Sequence, residues 1–317
     1  MRKKLALTAV MLLLCGCSHK TEVRDKGFVR TIGCDSGEVQ SVAVRLYGQE
    51  KVLSGSGDTI FSAVENAETA QGKTLFTGHL ELLVLNPAEI KDKLSVMIKN
   101  NRISPSCSLI ITTGSAADTV KSYKEEELSD ILESSSRKGK IVTRNISAVL
   151  NDLLEDDSMA AAPILDGKNL TMGVVGYDSV IGVLSEEESE GLSWLTASQR
   201  DIYLPINVNG KAASFHVRKS STRLTAEADG DKIKITTEIK INGSCIEENT
   251  DESESSKAAA EKISGLCSKA ISKTVTGMNA DVLGIEKCIR SENIASGKLW
   301  KEIIPELEFY YSIKIAS

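Results

Sequence analysis

The chain has 317 residues, 38 basic and 44 acidic side chains and a net charge of −6, a length that accommodates two or three domains. Its acidic balance excludes the clustered Lys and Arg that binding to a phosphate backbone requires, so nucleic acid is not a partner. Apolar residues make up 41% and aromatic residues only 4%; real cores can form, but the aromatic-lined clefts usual for small ligands are disfavoured.

Met1-Arg2-Lys3-Lys4 is followed by an apolar run from Leu5 to Leu14, broken only by Thr8, and then by Cys15-Gly16-Cys17. Charge, a short apolar stretch and small residues, in that order, make a secretory signal over residues 1–16. The run is about half of the roughly 20 residues a spanning helix needs. Leu14, Gly16 and Cys17 resemble the bacterial lipobox, which implies cleavage before Cys17, acylation of that cysteine with chains such as palmitate, and a lipidated tether over 17–22. A plain secretory signal is the alternative. Two or three acyl chains hold a protein at a membrane where one does not. Without residues 1–16 the chain keeps 35 basic and 44 acidic residues, a net charge of −9, which argues against adhesion to anionic lipid by charge alone. No later stretch approaches 18 apolar residues, so the body beyond the tether is expected to be soluble and outside the cytoplasm.

Phe28–Cys34 and Val39–Leu46 read as strands around the turn Asp35-Ser36-Gly37. Ser54–Asp58 reads as a loop. Asp58 or Thr59 then caps a helix with Ile60, Phe61, Val64, Ala67 and Ala70 on one face and Gly72 at its close. Leu75–Leu85 reads as one strand with Phe76, Leu80, Leu82 and Val84 on its apolar face. Pro87 opens a helix over 87–100, Ser108–Thr113 is a strand, and Ser115 starts a helix through Tyr123. Residues 124–160 read as mostly helical, with Ile146, Val149, Leu150, Leu153 and Leu154 as a buried stripe.

Asp166-Gly167 marks a turn, Met172–Tyr177 and Val180–Val183 read as short strands, and Ser185 opens a helix to Ala197. Glu186, Glu187 and Glu188 fall in its first turn, where the helix dipole favours them. Beyond residue 200 the period becomes two. Ile202–Val208 runs to Asn209-Gly210, Leu224–Ala228 to Asp229-Gly230, and Ile233–Ile241 to Asn242-Gly243, each a hairpin signal. An acidic loop, Glu247–Glu254, precedes a long helix over about 254–275, faced by Ala260, Ile263, Cys267, Ala270 and Ile271. A shorter helix near 281–290 and a strand, Glu308–Ile315, close the chain. The pattern predicts a multidomain α+β (mixed α/β) protein: a sheet-and-helix domain over 23–165 and a hairpin-rich domain with a long helix over 166–317, with a further split near 199 as a variant.

Five cysteines remain beyond the lipobox: Cys34, Cys107, Cys245, Cys267 and Cys288. None forms a CxxC pair and no His stands at metal spacing, so no metal or cofactor is expected. Cys267 with Cys288, both in the C-terminal helical stretch, is the disulfide to test first; buried free thiols are the alternative. His79 shares its alternation face with Thr77 and Glu81, a general base and its orienter in principle and otherwise a solvated strand pair. His216 has no acidic residue beside it and reads as structural. Asp156-Asp157 and Glu186–Glu188 read as solvated helix ends, and Glu247–Glu254 lacks the spaced ligands and central Gly of a calcium loop. With no nucleophile elbow, phosphate loop or HExxH helix, the chain reads as non-enzymatic, with no catalytic residues.

Several segments in order resemble the Ger(x)C family, the C-subunit lipoproteins of spore germinant receptors. They are Glu22-Val23-Arg24-Asp25-Lys26-Gly27-Phe28-Val29 with Ile32-Gly33-Cys34-Asp35; Leu75-Phe76-Thr77-Gly78-His79-Leu80; Arg102 through Thr113-Gly114-Ser115-Ala116; Gly173-Val174-Val175 and Val180–Ser185 with Gly191-Leu192-Ser193-Trp194-Leu195; Asn279–Ile285; and Trp300–Ile315. Thr77 separates Phe76 from Gly78-His79, which the family often has contiguous, and 199–220 has no counterpart. The resemblance implies a lipoprotein on the outer face of the spore inner membrane that docks with two integral membrane receptor subunits in nutrient-triggered germination. Arg24 and Asp25, just past the tether, are candidates for partner contact, and Gly33, Gly78 and Gly182 suit close backbone approach. A solute-binding lipoprotein feeding a transporter and a cell-wall hydrolase using His79 are the competing expectations.

Overall fold

The computed structural model describes residues 26–99, 103–124, 126–155, 159–247, 250–294 and 297–316. Its first sheet contains β1 (Lys26–Asp35), β2 (Gln40–Leu46), β3 (Val52–Gly57), β4 (Thr74–Phe76), β5 (Leu82–Leu85), β6 (Ser108–Thr112), β7 (Ala160–Asp166), β8 (Asn169–Val175) and β9 (Val180–Val183). The order is β3-β2-β1-β5-β6-β7-β8-β9, with β4 beside the start of β1. β1, β5, β6 and β7 form a parallel centre; β2 with β3 and β8 with β9 are antiparallel wings.

Helices cover both faces, which is why β5 is buried at every position instead of alternating. Leu83 and Leu85 face a core with α1 (Ile60–Gln71), α2 (Ile90–Lys99) and α5 (Ile146–Leu154). Leu82 and Val84 face the other core, with α3 (Ala116–Ser122), α4 (Glu127–Arg137) and α6 (Glu186–Thr196). That second core continues without a break into the C-terminal half. There β10 (Arg200–Val208), β11 (Lys211–Asp229), β12 (Lys232–Cys245) and β13 (Leu307–Ala316) form a sheet in that order. α7 (Glu252–Ile271), α8 (Ile285–Ser291) and α9 (Trp300–Ile303) pack on its inner face. The α+β expectation holds. The first sheet runs on to Val183, past the turn at Asp166-Gly167.

Four elements differ from the sequence reading. Leu75–Leu85 is two strands: β4 pairs with Lys26–Phe28 and β5 with Thr31–Cys34. The break lies at Gly78, where a Cβ would press into the ring of Phe76. Ser54–Asp58 is largely strand, because Gly55 and Gly57 let α1 lie directly on β3; a Cβ on Gly55 would overlap the Ala63 carbonyl. Ala160, expected to close the helical stretch over 124–160, instead opens the buried strand β7, Ala160–Asp166. Its Pro163 is tolerated because β6 reaches only Ile164 and Leu165. Asn242-Gly243 is not a turn but part of β12, opposite a bulge between Val217 and Lys219 of β11. Gly243 is required there because a Cβ would crowd the His216 carbonyl.

α7 begins at Glu252 and buries Ala259, Ile263, Leu266, Cys267, Ala270 and Ile271, with Ala260 only half-buried. A π turn, Ser272–Gly277, extends it. The pairing of Cys267 with Cys288 is not formed. Both are free thiols: Cys267 faces the Gly191 carbonyl of α6, and Cys288 faces the Leu224 carbonyl of β11. Burial pushes the Cys267 thiol up to about 12, so it behaves as a small hydrophobe.

Candidate functional site

Cys17, Arg24 and Asp25, together with Asp156-Asp157 and Arg102, lie outside the described residues. The described body begins at Lys26, and around that entry two of the motif segments meet. The pairing of β1 with β4 sets Lys26, Gly27 and Phe28 against Thr74, Leu75 and Phe76. Phe28 meets Phe76 edge-on at 5.5 Å between ring centroids, and His79 packs against both, at 6.4 Å and 5.6 Å. The Lys26 amine lies over the Phe76 ring at 5.2 Å. The Tyr47 hydroxyl donates to the His79 carbonyl at 3.0 Å.

The base-and-orienter arrangement of His79 and Glu81 does not occur, because the turn at 77–81 breaks their alternation. Glu81 instead accepts from Arg30 Nε at 2.7 Å, and Arg30 also pairs with Glu126. Arg30 in turn stacks over Tyr47. Burial and the neighbouring Glu81 push the Tyr47 hydroxyl up to about 12. The result is a half-buried cluster of aromatic and cationic side chains at the start of β1, with His79 exposed at its rim.

At the opposite end of β1 two further segments meet. Gly33 lets α3 approach the sheet; a Cβ there would overlap the Ala116 carbonyl. The Asp35 carboxylate then accepts from Ala116 N at 2.6 Å, Ala117 N at 3.0 Å and Ser115 Oγ at 2.7 Å, satisfying the donors at a helix start. The other end of α3 is held by Arg45, a buried guanidinium that donates to the carbonyls of Val120, Lys121, Tyr123 and Glu50. Nearby, Asn86 bridges Ser36 N and O at 3.1 Å and 3.2 Å and accepts from Lys93 Nζ. Lys93 is 4% exposed, and desolvation lowers its amine to about 8. Neither Arg45 nor Lys93 carries a sequence signal, since a charge on an apolar strand or helix face reads as solvated.

The C-terminal motif residues act the same way. Asp281 accepts from Leu283 N, Ile285 N and Glu286 N at 3.3, 2.8 and 2.7 Å. Burial pushes its carboxyl up, with the three donors pulling the other way. Trp300 Nε1 donates to Asn279 O at 2.8 Å. Gly182 lies under Met278, and Gly191 brings α6 onto α7 at the Leu266 carbonyl. His216, which has no acidic neighbour in sequence, has one across the sheet: Asp201 at 2.7 Å, with Tyr203 stacked on its ring. Among the described residues no group of three His, Cys, Asp or Glu side chains is placed to hold a metal ion, and no helix is long and apolar enough to cross a membrane.

The scaffold is therefore a two-sheet α+β protein whose recurring Gly, Asp and Trp residues fasten its elements together. A family model described as "Spore germination protein N-terminal domain" matches residues 19–166, and one described as "Spore germination B3/GerAC like, C-terminal" matches residues 171–316. The chain belongs to this GerAC-like family of spore germination proteins. It is 21% identical to spore germination protein B3 of Bacillus subtilis (strain 168), over 96% of this chain and 94% of that one. It is also 21% identical to the putative spore germination protein YfkR of the same organism, over 95% and 92%. The crystal structure of the GerBC protein shares the fold, with a TM-score of 0.61 at 16% identity over 90% of this chain and 97% of that one.

Proposed function

We propose that the chain is the C subunit of a nutrient germinant receptor, held by lipid on Cys17 at the outer face of the spore inner membrane, and that it acts non-catalytically by docking with two integral membrane subunits. The observation that carries this is the match of both halves, in order, to spore germination family models. Lys26 follows Cys17 by nine residues, and a fully extended chain of that length reaches about 30 Å. An anchored Cys17 therefore keeps the Lys26, Phe28, Phe76 and His79 patch close to the bilayer. Aromatic and cationic side chains suit that zone, where one end of a ring is apolar and the other wet. Arg24 and Asp25 lie on the same short span and are the first candidates for partner contact. The test is affinity purification of the tagged chain from detergent-solubilised spore membranes, beside Cys17→Ala. Two polytopic proteins should co-purify with the wild-type chain, and the variant should leave the membrane and slow germination. Recovery of the anchored chain alone refutes the docking role, and normal germination with a soluble variant refutes the anchor.

A further inference from the structure

The outer strands of the two sheets are not protected alike. β3 is six residues with two glycines, β9 is four residues with a register shift against β8, and β10 carries Pro205. Such devices keep sheet edges from pairing with other chains. β13 carries none of them. It is ten residues long, Leu-Glu-Phe-Tyr-Tyr-Ser-Ile-Lys-Ile-Ala, in unbroken register with β12, and among the described residues it pairs with no other strand.

Its inner face is also under-covered. Ile233, Ile235, Thr237, Ile239 and Ile241 of β12 are at most 4% exposed. Their register partners Leu307, Phe309, Tyr311, Ile313 and Ile315 are only half-buried. An apolar stripe beside an open ladder of backbone donors and acceptors is the requirement for adding a strand.

The sequence of β13 identifies which strand fits. Two copies laid antiparallel about a twofold axis at Tyr311 set Glu308 opposite Lys314, Tyr310 opposite Ser312, Phe309 opposite Ile313 and Leu307 opposite Ile315. Opposite residues in an antiparallel pair share a face. This register therefore aligns the two apolar stripes and places each carboxylate against an ammonium, twice. Shifting it by two residues keeps the faces but loses both Glu308–Lys314 pairs; the shift that would set Glu306 against Lys314 uses a residue outside β13 that is already paired with Lys298. We propose that β13 pairs with β13 of a second copy of this chain, making one eight-stranded sheet across an isologous dimer. The proposal does not rest on the receptor reading.

The test is sedimentation of the full chain in detergent across a concentration series. The wild type should show a monomer–dimer equilibrium. Lys314→Glu puts a carboxylate opposite Glu308 at both ends and should weaken the dimer by about tenfold. Lys314→Glu with Glu308→Lys should restore it. Glu238, the neighbour of Lys314 in its own chain, is present in both variants, so their difference reports the contact between copies. Tyr311→Cys, at the twofold axis, should form a disulfide-linked dimer under mild oxidation while the wild type does not. A wild type that stays monomeric at every concentration, a charge reversal without effect, or a double variant no better than the single one would each overturn the proposal.

Discussion

Lys93→Met isolates the energetic consequence of a buried ammonium. Lys93 lies on α2, 4% exposed, with Nζ on Asn86 Oδ1. Desolvation lowers its amine from 10.5 to about 8, while Cys34, Glu89 and Asp35 pull it the other way. A lysine whose folded value is depressed destabilises the fold wherever the unfolded chain holds the proton more tightly. The full cost is present below pH 8, and it is relieved as pH rises from about 8 to the unfolded value of 10.5. A shift of that size corresponds to about 3 kcal/mol at 1.36 kcal/mol per unit. Methionine keeps the length and apolar stem, removes the charge and forfeits one hydrogen bond, worth about 1 kcal/mol. The variant should therefore be more stable than wild type by about 2 kcal/mol at pH 7. That advantage should disappear by pH 10.5. Urea unfolding of both chains at several pH values measures it. The deeply buried thiols Cys107 and Cys267, pushed up to about 12, weaken both chains above pH 9 and cancel in the difference. Cys34, whose thiol Lys93 pulls down, does not, so the comparison is read against the same pair in a Cys34→Ala background. A difference that stays flat from pH 7 to 10.5 refutes the reasoning.

Asp35→Ala removes three hydrogen bonds from the start of α3 and should cost about 2 kcal/mol in urea unfolding; an unchanged midpoint would contradict the capping role. Arg45→Met leaves the carbonyls it holds at the end of α3 without their donor and should cost about 3 kcal/mol. Amide exchange should then speed selectively in residues 116–122. Gly191→Ala, whose methyl would overlap the Leu266 carbonyl, should lower stability by about 2 kcal/mol. Gly265→Ala, on α7 with nothing near its added Cβ, should raise stability by about 0.5 kcal/mol. Equal effects from the two alanines would mean that the α6–α7 approach is not close-packed.

Where a residue's local and tertiary roles agree, the sequence was a sufficient guide. Thr59 and Ser185 cap their helices through capping boxes, and Asn209-Gly210 and Asp229-Gly230 turn their hairpins. The ordered segments that pointed to the family were legible for a related reason. Gly33 with Asp35 and Gly191 with Trp194 join one element to another, and Asp281 with Gly284 starts α8. Misreadings came where glycine had two meanings: Gly55 and Gly243 accept a neighbouring chain instead of turning their own. Ala160-Ala161-Ala162-Pro163 hid a buried strand behind weak strand formers. The entry patch was invisible as a unit because Phe28 and Phe76 are adjacent only through the β1–β4 pairing, and Arg30 with Glu126 is a contact between β1 and the residue just before α4.

The core that faces Leu82 and Val84 reaches from Ala43 in β2 to Ile303 in α9, through Trp194 and Phe215. The two halves share this core, while the core facing Leu83 and Leu85 belongs to the first sheet and its helices alone. The halves matched by the two family models therefore cannot be exchanged separately between relatives 21% identical to this one without mismatching side chains along that seam. Chimaeras joined near residue 168 should express poorly unless α6, which packs on β8, and β10, which packs on α4, are exchanged with the first half.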